Sequence, residues 1–198
     1  ILHEQQKKGF AFLCSKGNGL LAYDVGVGKT ATGIAAVMYQ LQHQKCTRPL
    51  IIVPKAVYSK WIHDIQELFP DVTINKLDNL NKDIIDILRM NSVFSEENDS
   101  LLLPAHSVSI CTAEAIEKIY FTEESTPLLE SSFEHIISKR KQKEYFTPSA
   151  ELTNEQYVCF EELGTDLLLV DEAHRYKNLI KKVSGSNYSE FSRLGIGE

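Results

Sequence analysis

The segment Gly26-Val27-Gly28-Lys29-Thr30 has the residue types and spacing to hold a chain of phosphates. Two glycines one residue apart can take positive φ, which lets successive backbone N–H groups turn inward on phosphate oxygens. Lys29 is placed to reach the β and γ phosphates, and the Thr30 hydroxyl to ligate Mg2+. The loop as a whole runs Tyr23–Thr30 and includes Asp24 and Val25. Its strict GxxxxGK[ST] form has a glycine where this chain has Tyr23. Far downstream, Asp171-Glu172-Ala173-His174 follows the apolar run Leu167–Val170. Carboxylates at the C-terminal end of a parallel strand lie where α/β sheets bind ligands. Asp171 would complete the Mg2+ shell, and Glu172 would orient or deprotonate an attacking water. An acidic pair after a strand can also be a solvated helix start with Asp as N-cap. A glycine-bearing turn can likewise bind nothing, and it is the combination with an upstream Gly-Lys-Thr that favours the chemical reading.

These groups need a strand before the glycine loop, a helix after it, and a strand ahead of Asp171. Leu20–Tyr23 is a short apolar run that reads as a buried parallel strand, and Thr30–Gln42 as a helix with Ile34, Val37, Met38 and Leu41 on one side. The sequence predicts a helix over Leu2–Cys14, then a turn at Lys16–Gly19. Strands are expected at Leu50–Val53, Val72–Leu77, Ser107–Thr112 and Leu167–Val170. Between them, helices are expected at Ser59–Phe69, Lys82–Met90 and Ala113–Tyr120. Strand alternating with helix implies an α/β fold around a mostly parallel sheet. Residues 123–150 are the least regular, with prolines, serines and the basic run Lys139–Lys143 beside Tyr145 and Phe146. Such a run is usually a solvated face, though it could touch a nucleic-acid backbone.

Composition narrows the class without choosing a partner. The 198 residues suffice for one sizeable core, and an apolar fraction of 43% with 24% charged is ordinary for a globular domain. No apolar run approaches the ~18–20 residues that span a bilayer. The start at Ile1, without Met or a signal-like pattern, reads as a segment of a longer chain, and the end after Arg193 reads the same way. Cys14, Cys46, Cys111 and Cys159 lie too far apart for a zinc pattern and read as reduced thiols, which fits a cytoplasmic setting. A net charge of −6 excludes a surface basic throughout but leaves room for a local positive groove.

Leu20–Thr30 and Asp171–Asn178 together resemble the first and second motifs of superfamily 2 helicases, most closely the Swi/Snf-type DNA-dependent ATPases. Many helicase-like ATPases of this kind lack the loop's first glycine. Leu2–Gly9 is similar to the family's upstream motif, whose glutamine reads adenine; here that residue is Gln6. Leu50–Lys55 with Trp61 resembles the next motif, and Ser109–Ala115 the following strand with its Thr. The resemblance implies a RecA-like, ATP-binding first lobe that uses Mg2+ and ATP and acts on nucleic acid, double-stranded DNA in the first instance. It makes Lys55, Ser59 and Thr112 candidate phosphate-backbone contacts. It makes His174 a contact between the nucleotide site and a second lobe. That second lobe, with its arginine fingers, would belong to the parent chain, and alone the first lobe should turn over slowly. The long stretch between Lys29 and Asp171 implies an insertion around residues 122–160. Phe160–Asp166 is also similar to helicase segments inside large bacterial or phage methylase–helicase polypeptides. Two other classes stay open on the residues alone. One is another P-loop enzyme, a kinase or GTPase, which Asp171–His174 fits poorly. The other is a degenerate P-loop domain that serves as a DNA- or protein-binding module.

Overall fold

The computed structural model describes residues 2–24, 26–93, 101–133 and 157–176. Its central element is a four-stranded sheet made of β1 (Pro49–Val53), β2 (Ile74–Leu77), β3 (Val108–Thr112) and β6 (Leu167–Val170). The order is β2-β3-β1-β6, and every pairing is parallel. β4 (Ile119–Tyr120) and β5 (Val158–Cys159) form a separate short parallel pair. β1 and β3 are buried at every position, as interior parallel strands covered on both faces must be.

Alternation along β1 builds two cores. Ile51 and Val53 face α2 (Lys29–Gln42) and α3 (Tyr58–Leu68), packing with Ile34, Val37, Trp61 and Ile65. Leu50 and Ile52 face the other way, with Leu80 and with Ile85 and Leu88 of α4 (Lys82–Val93). The Cys111 thiol in this second core is pushed up to about 12 by burial, so it is an inert apolar filler. α1 (Glu4–Lys16) lies on α2, where Phe10 meets Tyr39 edge-on at 5.3 Å, and it ends at Gly17 in the left-handed conformation (φ 73°). α5 (Thr126–Phe133) and the single-turn α6 (Phe160–Leu163) complete the described elements. None of the described helices is long and apolar enough to cross a membrane.

The α/β class and the parallel sheet are as the sequence predicts, with three differences. Leu20–Tyr23 forms no strand, because no ladder partner reaches it among the described residues. Among the described strands β6 pairs with β1 alone, and Leu20, Leu21 and Leu168 line one cavity. The helix expected at Ala113–Tyr120 is a 3-10 turn over Ala115–Lys118 followed by β4. The Thr112 hydroxyl caps that turn by accepting the Ala115 N–H at 3.2 Å, and pairing with β5 draws Ile119 and Tyr120 into extended backbone. Thr126–Phe133 is helical within a stretch expected to be irregular. The basic run Lys139–Lys143, Tyr145 and Phe146 lie outside the described residues, as does most of the expected insertion.

Candidate phosphate-binding site

Tyr23 occupies the position where a glycine is expected, and there it fastens the loop to α1. Its hydroxyl donates to the Gln5 carbonyl at 2.8 Å, and Gly9 leaves the room for its ring. Its own carbonyl, with that of Asp24, receives the Lys29 ammonium at 2.9 and 3.1 Å. Gly26 and Gly28 both have positive φ, 85° and 91°, as the inward turn of the N–H groups requires. α2 then starts at Lys29 with no side-chain cap, so its first N–H groups are open to an anion. Thr30 stands half-buried in that first turn. Val25 lies outside the described residues.

Gln6 lies against this loop although 21 positions separate it from Val27. Its Nε2 donates to the Val27 carbonyl at 3.2 Å, and its Oε1 accepts the His3 N–H at 2.8 Å. The amide, 8% exposed, thus steadies both the start of α1 and the glycine loop.

At the far side, β6 delivers Asp171 to the end of the sheet. The Asp171 N–H donates to Ile52 O at 2.8 Å, which continues the ladder one residue past the strand. Asp171 Oδ1 accepts the Glu172 N–H, and Oδ2 accepts the Trp61 indole N–H, both at 3.0 Å. Glu172 has φ 54°, an uncommon backbone conformation for a side chain of its size, and its Oε2 lies 3.0 Å from Nδ1 of exposed His174. Lys29, Asp171, Glu172 and His174 all line one cavity of about 680 Å3 between α2 and β6, with Gly26–Gly28 and Thr30 outside its lining. The chemical groups that the sequence separates most widely are therefore brought to one place.

Lys55 and Ser59 are exposed, on the turn after β1 and in the first turn of α3. Thr112 is a correction to the expected nucleic-acid contacts. It is 1% exposed, and its hydroxyl donates to Asp78 O at 2.9 Å while accepting the Ala115 N–H. A side chain so enclosed cannot meet a phosphate backbone. Trp61, by contrast, stands out in the sequence only as part of the motif with Leu50–Lys55, and its bond to Asp171 is not legible there.

The family of SNF2-related domains matches residues 3–191. The chain belongs to that family. The resemblance read from the two motifs is thereby borne out. The chain is 22% identical over 92% of its length to the "Defense against restriction protein B" of Escherichia phage P1. It is 29% identical over 81% of its length to the "Transcriptional regulator ATRX homolog" of Caenorhabditis elegans. These alignments span only 10% and 11% of the relatives' own lengths. A shorter match, 36% identical over 37% of the chain, is to the "ATP-dependent helicase brm" of Drosophila melanogaster. Among solved structures, the Sulfolobus solfataricus SWI2/SNF2 ATPase core in complex with dsDNA aligns at TM-score 0.43 and 22% identity, covering 60% of this chain and 22% of that one.

Proposed function

We propose that this SNF2-related domain is the ATP-binding first lobe of a translocase that couples ATP hydrolysis to movement on double-stranded DNA. The observation that carries this reading is the single cavity lined by Lys29, Asp171, Glu172 and His174. The donor set suits the implied ligands. The Thr30 hydroxyl and the Asp171 carboxylate are the hard oxygens that Mg2+ takes, and the uncapped N-terminus of α2 with two positive-φ glycines suits phosphate. In this reading, Lys29 exchanges the Tyr23 and Asp24 carbonyls for β and γ phosphate oxygens. Glu172 orients the attacking water, and His174, beside it, links the nucleotide site to a second lobe. Gln6 reads the adenine edge by releasing one of its two present partners. Lys55 and Ser59 contact the DNA backbone, where donors carry no sequence information. The ATP-dependent helicase among the similar proteins supports nucleic acid as the partner.

Nucleotide titration of the natural chain against Lys29→Ala tests the site. Losing a charge-assisted contact should weaken Mg2+-ATP affinity about tenfold or more. Equal affinities would instead favour a module that binds without using nucleotide.

A further inference from the structure

We propose that Trp61 is a positioning residue for Asp171, fixing the carboxylate that the preceding section assigns to Mg2+; the inference rests on that reading. Trp61 lies on α3, 110 positions from Asp171, and its Nε1–H donates to Asp171 Oδ2 at 3.0 Å. The side chain is 2% exposed, so the indole N–H has no recourse to bulk water and needs an acceptor. The other carboxylate oxygen accepts the Glu172 N–H, and the Asp171 backbone is tied to Ile52. Each oxygen of Asp171 therefore has a donor, one from α3 and one from the following backbone. A carboxylate offers about four lone-pair sites, so two such bonds leave acceptor capacity for a cation.

The indole also touches the helix that carries Lys29. A Cβ built on Gly33 of α2 would stand 3.5 Å from Trp61 Cη2 and 3.0 Å from Leu169 Cδ1. Glycine inside a helix costs roughly 1 kcal/mol relative to alanine, and here its bare backbone spares a tight contact with Leu169 of β6, while the ring stands at ordinary contact distance. Trp61 thus spans the two halves of the site: its six-membered ring lies near α2, and its N–H holds Asp171. Partners that orient a metal ligand commonly govern metal affinity as strongly as ligands themselves do.

The chain contains one tryptophan, so its tryptophan emission comes from Trp61 alone and responds to changes around the indole. Asp171→Ala should shift the emission maximum of the ligand-free chain, whereas Lys29→Ala should leave it in place. Trp61→Phe keeps an aromatic ring of smaller size and removes the donor. In that variant, metal-free nucleotide affinity should hold, while the Mg2+ concentration needed for half-saturation of nucleotide binding rises about tenfold. A fluorescent nucleotide analogue gives both values, and circular dichroism checks the fold. An unchanged Mg2+ requirement, or an equal loss of affinity with and without Mg2+, overturns the proposal, since the second result marks Trp61 as core packing only. Identical emission in Asp171→Ala and the natural chain overturns it independently of folding in Trp61→Phe. Failure of the nucleotide reading looks different: Lys29→Ala then binds Mg2+-ATP as the natural chain does.

Discussion

Gly28 combines two demands that no other loop residue faces together. Its φ of 91° is a region that L side chains rarely adopt, and an added Cβ would run into Gln6 Nε2. Gly26, at φ 85°, has the first demand only, because its Cβ direction is open. Left-handed backbone costs an L residue roughly 1–2 kcal/mol, so Gly26→Ala should lose about that much stability. Gly28→Ala should lose more, since Gln6 must surrender its bond to Val27. Urea midpoints measure the difference, and removing the Gln6 amide in a Gln6→Ala background should shrink it. Equal midpoints for the two glycine variants would contradict the packing described. Residue chemistry explains what was legible beforehand: Lys29, Thr30, Asp171 and Glu172 announce themselves by type and spacing. Trp61 does not, because an indole on an apolar helix face carries no sign of the carboxylate it will meet. Nor does Thr112, whose hydroxyl is turned inward by a turn that replaced the expected helix.

Among the elements, β6 is an edge strand among the described residues, and it holds Asp171 in register through one clamp. Asp166, just before it, accepts the Thr47 N–H at 2.6 Å, the Arg48 N–H at 2.9 Å and the Thr47 hydroxyl at 2.9 Å. The two residues that supply these donors immediately precede β1, so the clamp sets Pro49 opposite Leu167 and carries that register up to Ile52 and Val170. Desolvation opposes the charged form of Asp166, but the bonds from Arg48 and Thr47 outweigh it and hold the carboxyl below the usual range. A depressed folded-state value gives stability that is complete above the unfolded carboxylate value of about 3.9 and is lost as pH falls through the lower folded one. Asp166→Asn should therefore cost about 1 kcal/mol at pH 7, a figure kept small because Asp166 is exposed to solvent. The gap between the two proteins should close below about pH 4, near the unfolded carboxylate value. A pH-independent gap in the denaturation midpoint would show that charge is not what the clamp uses. Strands buried on both faces, such as Leu50–Val53, were legible as continuous β-branched runs. Leu20–Tyr23 has the same look, yet strand formation needs a partner in space, which a local pattern cannot supply.

At the scale of the whole molecule, the described residues line the site from two sides. Lys29 comes from one side of the cavity and Asp171, Glu172 and His174 from the other. The cavity's apolar rim includes Leu20 at 71% and Leu168 at 49% exposure. Phosphoryl transfer depends on neutralising charge that spreads over the equatorial oxygens, and Lys29 is the one cation among the residues lining the described cavity. This arrangement can hold a nucleotide better than it can stabilise the transition state. In the proposed translocase, arginines from a second lobe supply the remaining charge, a contribution of roughly 10³–10⁵ in rate. The 198-residue chain should accordingly bind Mg2+-ATP but hydrolyse it slowly, with little response to duplex DNA. Joined to a second lobe bearing paired arginines, it should gain rate on that scale and become DNA-stimulated. Steady-state phosphate release, measured for both proteins with and without duplex, decides the matter. Fast hydrolysis by the chain alone, indifferent to DNA, would falsify the two-lobe reading, because the charge needed at the transition state would then have to come from within this lobe.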